Sequence, residues 1–253
     1  MKKYLSILVS ITFGLGLLSA CAQFGPPGGG PQFGGAMGKL FGENQSYTAL
    51  LEFQTTDNSG DNMVMPGKIS FDTGKLRFEM DMTQMKNSRT RPETAARMKQ
   101  MGMDKMVTIS RPDKKITYLI YPGMQSYVEN PMTDSQAAPD SSDYKVETTE
   151  LGKDTVDGHP CVKNKVVVTD KDGNKHESTV WNATDLKNFP VKIENSKEGR
   201  NVTMLFKNVS LDKPDAALFE APPDFTKFDD MQSMMQQMMI KRMGGGMALP
   251  PGH

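Results

Sequence analysis

Between Thr155 and Glu194 the chain reads TVDGHPCVKNKVVVTDKDGNKHESTVWNATDLKNFPVKIE. Two strand-like runs, Val162–Thr169 and Lys175–Trp181, are separated by Asp170-Lys171-Asp172-Gly173-Asn174. Small polar residues with a glycine suit a tight reversal, so the two runs pair antiparallel. A third run, Pro190–Glu194, returns after a short polar link. A chain that makes this hairpin and return strand is committed to an antiparallel sheet, and its other segments must join or cover that sheet.

The same period of two recurs elsewhere. From Ser46, the residues Tyr47, Ala49, Leu51 and Phe53 alternate with Thr48, Leu50, Glu52 and Gln54. Met63–Phe71 continues the pattern, and its Pro66-Gly67 pair predicts a bulge or bend. After Asp72-Thr73-Gly74, Leu76, Phe78, Met80 and Met82 face one way while Lys75, Arg77, Glu79 and Asp81 face the other, as in a half-buried strand. Further strands are expected at Met106–Ser110, Lys115–Tyr121, Met124–Glu129 and Asn201–Leu211. Tyr118, Tyr121 and Tyr127 are expected to cluster for strand packing. Asn130–Ser142 reads as a loop, and Tyr144–Asp157 stays divided between strand and a helical turn before Gly152.

Two segments break the strand rhythm. Pro92–Met101 has Pro at its first turn, Glu93 near its positive end, and Ala95, Met98 and Met101 at helical spacing, which predicts a short amphipathic helix on the sheet. Asp229–Met243 has acids at its start, Lys241 and Arg242 at its end, and Met231, Met234, Met235, Met238 and Met239 mainly on one face. Between the last strand and this helix, Lys213–Phe225 is expected to cap the sheet.

The N-terminus carries an address. Lys2 and Lys3 precede the apolar run Leu5–Leu18, which is too short to span a bilayer and ends Leu18-Ser19-Ala20-Cys21. This resembles the lipobox of bacterial lipoproteins, in which the cysteine is acylated and becomes the first residue of the mature chain. Ala20-Cys21-Ala22 also fits an ordinary signal peptide, whose product would be secreted into the periplasm. On the lipobox reading, residues 1–20 are a signal peptide and Cys21 is a membrane anchor. Ala22 after it resembles the sorting pattern for the outer membrane, with the protein facing the periplasm. Residues 21–45 follow as a Gly/Pro-rich tether in which Phe24, Phe33 and Phe41 read as isolated aromatics or as contacts for lipid or a partner. The folded domain is then expected over 46–228, with a methionine-rich helix and tail over 229–253.

Composition narrows the function. Thirty basic residues balance thirty acidic ones, without a basic stripe, which argues against nucleic-acid binding. The second cysteine, Cys161, loses Cys21 as a partner on either cleavage reading, and reads as a small buried residue. His159, His176 and His253 lack metal-ligand spacing to one another or to cysteine. The Asp170–Asn174 segment opens like a calcium loop, but its glycine is misplaced and Trp181 stands where the closing Glu belongs, so it reads as a turn. The sequence contains neither a nucleophile elbow nor a phosphate loop. It predicts a protein that is not an enzyme and needs no cofactor.

The order of these elements, with Val156-Asp157-Gly158-His159-Pro160-Cys161, Glu177-Ser178-Thr179-Val180-Trp181, Phe189-Pro190-Val191-Lys192 and the closing Leu218-Phe219-Glu220-Ala221-Pro222, resembles the DUF4412 family, whose fold is similar to that of the lipoprotein carriers LolA and LolB. The resemblance covers about Ser46 to Phe228. It implies a mainly β fold: a strongly curved antiparallel sheet, an incomplete barrel, with helices on the concave side closing an apolar cavity. An acyl chain or other apolar ligand would fit such a cavity. On that basis Leu76, Phe78, Met80, Val166, Val168 and Phe206 are candidates for core or cavity. Two alternatives stand beside it. Thioethers favour Cu(I), so Met231, Met234, Met235, Met238 and Met239 make a periplasmic copper site conceivable. A structural envelope protein with a filled core is the other. The sequence names no protein partner.

Overall fold

The computed structural model describes residues 36–56, 60, 62–87, 92–133, 144–197 and 200–242. In chain order the elements are β1 (Ser46–Thr56), β2 (Asn62–Asp72), β3 (Lys75–Asp81), β4 (Lys86–Asn87), α1 (Pro92–Met101), β5 (Lys105–Arg111), β6 (Ile116–Tyr121), β7 (Ser126–Pro131), β8 (Lys145–Val156), β9 (His159–Thr169), β10 (Lys175–Ala183), β11 (Phe189–Lys197), β12 (Arg200–Ser210), β13 (Thr226–Phe228) and α2 (Met231–Arg242). All the strands belong to one sheet in the order β13-β7-β6-β5-β3-β2-β1-β12-β11-β10-β9-β8, with β4 beside β2. The sheet is curved and open, not closed into a barrel, as the family resemblance implied. Every pair is antiparallel except β13 with β7, which run parallel. The expected all-antiparallel sheet is therefore mixed at one edge, where β13 joins β7 after the connection that follows β12.

Strand alternation gives the sheet two different faces. The inner face carries Tyr47, Ala49, Leu51 and Phe53 of β1, Ile69 of β2 and Phe78 of β3, all buried in one continuous cluster. That cluster extends through Met204 and Phe206 of β12 and Val191 and Ile193 of β11 to Val166 and Val168 of β9. The outer face is covered only in part. Val107 and Ile109 of β5 and Tyr118 and Ile120 of β6 form a second cluster beneath Phe219. Met106–Ile109 are thus buried on both faces, which is why this strand reads as a nearly unbroken apolar run.

Two arginines clamp the covering segment. Arg77 Nη1 donates to the carbonyl of Leu218 at 3.1 Å, and Arg111 Nη1 donates to that of Phe219 at 3.1 Å. Arg111 also makes a two-pronged contact with Asp113, 2.8 Å on each arm, and reaches Glu220. Lys213–Phe225 therefore caps the sheet as predicted.

Several expectations change. Pro66-Gly67 is not a bulge, since β2 keeps continuous register with β1 from Asn62 to Asp72. Pro66 sits where the partner on β2's other side changes from β3, ending at Gly67, to β4, beginning at Val64. A residue without an N–H is at home at such a gap. Residues 145–156, left divided by the sequence, form one long strand, β8, at the sheet edge. Tyr118 and Tyr127 meet edge-on at 5.8 Å on the outer face, while Tyr121 points inward, so the three tyrosines do not cluster. The tether is also shorter than expected, because a 3-10 turn at Gly38–Phe41 buries Leu40 and Phe41 in the inner cluster.

The helices lie where their sequences start and stop them. Asp230 Oδ1 accepts from Ser233 N at 2.6 Å and caps α2, whose Met234 enters the inner cluster from the β7–β13 side. At the end of α1, Met103 N donates to Met98 O at 2.9 Å around Gly102, at φ +70°. A Cβ on Gly102 would lie 2.7 Å from the carbonyl oxygen of Gly123, so these two glycines let α1 dock on the β6–β7 turn at the sheet's rim.

Candidate functional site

The inner face is the concave apolar surface that the resemblance pointed to, and its two ends differ in chemistry. Register places Tyr47, Phe71 and Leu76 side by side across β1, β2 and β3 at one end. There Phe41 stacks on Tyr47, with centroids 5.3 Å apart and planes 5° apart, and meets Phe189 and Phe206 edge-on at 5.6 Å each. Tyr47 also stacks on Phe71 at 5.3 Å and meets Phe189 edge-on at 4.9 Å. Burial pushes the Tyr47 hydroxyl far above its ordinary pKa, so it stays neutral.

At the opposite end the aromatic wall gives way to methionine. Met80 and Met106 face each other across β3 and β5, and Met82, Met85, Met103 and Met124 pack half-buried beside the same cluster. Unbranched thioether side chains adapt their shape, so this end is soft where the aromatic end is stiff. Asn195 is the polar exception on the inner row of β11, after the fully buried Phe189, Val191 and Ile193. Among the described residues its Oδ1 is the buried side-chain oxygen or nitrogen without a hydrogen-bond partner.

All six predicted core or cavity residues join this one surface. Leu76, Phe78 and Met80 are successive inward positions of β3, Val166 and Val168 belong to β9, and Phe206 belongs to β12. None is more than 8% exposed. The five methionines of α2 are less uniform. Met234 is buried, Met231, Met235 and Met238 are half-buried, and Met239 is 60% exposed. Cys21 lies outside the described residues. Sequence reasoning missed Phe41, whose glycine-rich surroundings hide any periodicity, and Gly67, whose role is set by a ring on the next strand.

The groups that could have carried polar chemistry have structural partners. Asp170 Oδ1 accepts from the backbone N of Asp172 and Asn174 at 3.0 and 2.8 Å, which closes the β9–β10 turn. His159 Nδ1 lies 2.8 Å from Asp185 Oδ2 and ties the β8–β9 turn to the β10–β11 link. Cys161 is buried, its Sγ donates to His159 O at 3.3 Å, and burial pushes its thiol pKa up. Trp181 Nε1 donates to Asp154 Oδ2 at 2.8 Å, and the ammonium groups of Lys163 and Lys192 lie 4.8 and 4.3 Å from its ring centre. Among the described residues, no group of three or more His, Cys, Asp or Glu could hold a metal ion.

Among the described residues there is one open sheet, and its apolar inner face is packed by the 3-10 turn, α2 and connecting residues such as Met103 and Leu186. The chain belongs to the DUF4412 family, described as a domain of unknown function, whose model matches residues 50–189. A comparison with curated proteins gives no match. Among solved structures, LprF from Mycobacterium bovis is 14% identical with a TM-score of 0.41, covering 75% of this chain and 93% of LprF. A LolA superfamily protein from Nitrosomonas europaea is 8% identical with a TM-score of 0.37, covering 72% and 93%. The Pseudomonas aeruginosa MucA/MucB complex gives 14% identity and a TM-score of 0.38 over 74% of this chain. The match spans 60% of the chain in that complex.

Proposed function

We propose that this protein is a lipid-anchored lipoprotein of the bacterial envelope that holds an apolar ligand against the inner face of its sheet. The observation that carries this reading is the inner face itself. It is one continuous apolar cluster from β9 to β6, interrupted on β11 by Asn195, and among the described residues short elements rather than a second sheet pack against it. Met234 and its half-buried neighbours act as adaptable cover, which supports an apolar function for α2 over Cu(I) capture. The orphaned Asn195 oxygen offers one acceptor to a ligand hydroxyl or amide, so an amphiphile suits the face better than a bare hydrocarbon. The anchor is Cys21, and Ala22 beside it favours the outer membrane.

A specific observation favours a second reading. The inner residues are already almost fully buried by the chain's own side chains, as in a structural protein with a filled core. One experiment separates the two. The protein is purified from membranes and its bound lipids are identified by native mass spectrometry and solvent extraction, followed by titration with a dansylated fatty acid. A stoichiometric lipid and saturable binding support the ligand reading; their joint absence leaves the filled core. Separately, Cys21→Ser should release the protein from membranes, and persistent attachment would refute the anchor.

A further inference from the structure

The aromatic end of the inner face contains a group that does not come from the sheet. Its walls are Tyr47 of β1, Phe71 of β2, Phe189 of β11 and Phe206 of β12, each on a strand held by its own hydrogen-bonded ladder. Phe41 fills the space between three of these rings, and Leu40 is buried beside it. Both residues lie in a 3-10 turn of four residues, upstream of the first strand.

That turn is built differently from its surroundings. Its backbone hydrogen bonds close on itself: Leu40 N donates to Met37 O at 3.1 Å, Gly42 N to Lys39 O at 3.4 Å, and Asn44 N to Phe41 O at 3.1 Å. The buried side chains of Leu40 and Phe41 seat it on the sheet, and Asn44 Nδ2 donates to the carbonyl of Lys187 at 3.4 Å. Immediately after Phe41 comes Gly42 at φ +56°, and a Cβ there would meet nothing within 4 Å. Glycine enters this region of positive φ without the strain that a side chain would add.

We propose that the aromatic end is the seat for the apolar tail of an amphiphile, and that Leu40 and Phe41 occupy it as an internal stand-in that the ligand displaces. This rests on the reading above that the inner face binds an apolar ligand. The walls persist when the turn leaves because each wall residue belongs to a paired strand. The turn continues directly into the segment that begins at Cys21, so displacement lengthens the tether between the anchor and the sheet. Ligand occupancy is thereby coupled to the reach of the domain from the membrane.

Trypsin cleavage after Lys39 reports the state of the turn in the full chain without any substitution. Saturating palmitate should speed this cleavage several-fold. In parallel, Phe41→Ala should bind a dansylated fatty acid about tenfold more tightly, because the internal competitor is weakened. Phe219→Ala, which opens comparable space on the outer face, should leave the affinity at the wild-type value. The proposal is overturned if palmitate binds while cleavage after Lys39 keeps its ligand-free rate. It is also overturned if Phe219→Ala tightens binding as much as Phe41→Ala does, since any cavity would then suffice. If neither the wild-type chain nor Phe41→Ala binds the probe, the inner-face reading falls with it.

Discussion

Replacing Gly67 with alanine tests how tightly the inner face is packed. A Cβ there would lie 2.5 and 2.6 Å from Cε2 and Cζ of Phe78 and 2.7 Å from the carbonyl oxygen of Glu79. Carbon atoms rest about 3.5–4.0 Å apart, so the ring must retreat by about 1 Å. Phe78 is 1% exposed and stands opposite Ile69 across β2 and β3, which leaves little room for that retreat. Overpacking of this kind costs about 1–3 kcal/mol. The lost freedom of the unfolded chain returns about 0.4–1 kcal/mol. The net expectation is a destabilisation of about 1–2 kcal/mol, or roughly 2–8 °C in Tm for a domain of this size. Urea unfolding followed by circular dichroism measures it, with the wild-type m-value as a check that both states are comparable. Combining Gly67→Ala with Phe78→Leu should recover part of the loss, with a coupling of about 0.5 kcal/mol or more, because the ring clash is gone and the Glu79 contact remains. A Gly67→Ala protein as stable as wild type, or strictly additive substitutions, would refute the reasoning.

Other outcomes follow from the outer face and the polar groups. The hydrogen bond from Arg111 holds the Asp113 carboxyl below the ordinary range, and Lys114 and then Arg111 do the same for Glu220. Lowered folded-state pKa values mean stability that is present above about pH 4 and lost as pH falls through the folded values. The stability difference between wild type and Arg111→Gln should therefore shrink between pH 7 and pH 3 in urea titrations; a constant difference would count against the clamp. Lys192→Ala should expose Trp181 and shift its emission to the red, since the Lys192 ammonium lies 4.3 Å over a ring that is only 3% exposed. Cys161 should resist a thiol reagent at pH 8 in the native protein and react on denaturation, because the thiol is both buried and raised in pKa.

The sequence revealed elements wherever one face met water and the other met the core. β1 and β3 were legible because Tyr47–Phe53 and Leu76–Met80 alternate with residues that remain on the outer face, all polar except Leu50. α1 was legible to the residue because Pro92 and Gly102 mark its ends. β8 was not, because nearly every residue from Lys145 to Thr155 is exposed and no burial period is imposed on its sequence. β4 and β13 span two and three residues, too few to show any period. The residues Leu76, Phe78, Met80, Val166, Val168 and Phe206 fall in one buried cluster because inward positions of strands in one sheet share a face. The aromatic end was hidden for the opposite reason. Phe41 and Phe189 are far apart in sequence, and their meeting depends on how the sheet curls. Gly67 looked like part of a bulge or bend, since a local reading cannot see a ring arriving from the neighbouring strand.

The seam between β1 and β12 has a consequence for how the chain folds. β1 to β7, apart from short β4, form a run of neighbours near in sequence, and β8 to β12 form another, but Leu51 meets Phe206 from the far end of the chain. Each run can form through local hairpins, whereas the seam must wait for a long loop to close. Until β12 arrives, β1 presents an unpaired edge with Tyr47, Leu51 and Phe53 along one side, which is the kind of surface that captures other chains. Substitutions at Leu51 or Phe206 should thus slow the final docking of the two halves, and newly made chains are most exposed to aggregation in the interval before that seam closes.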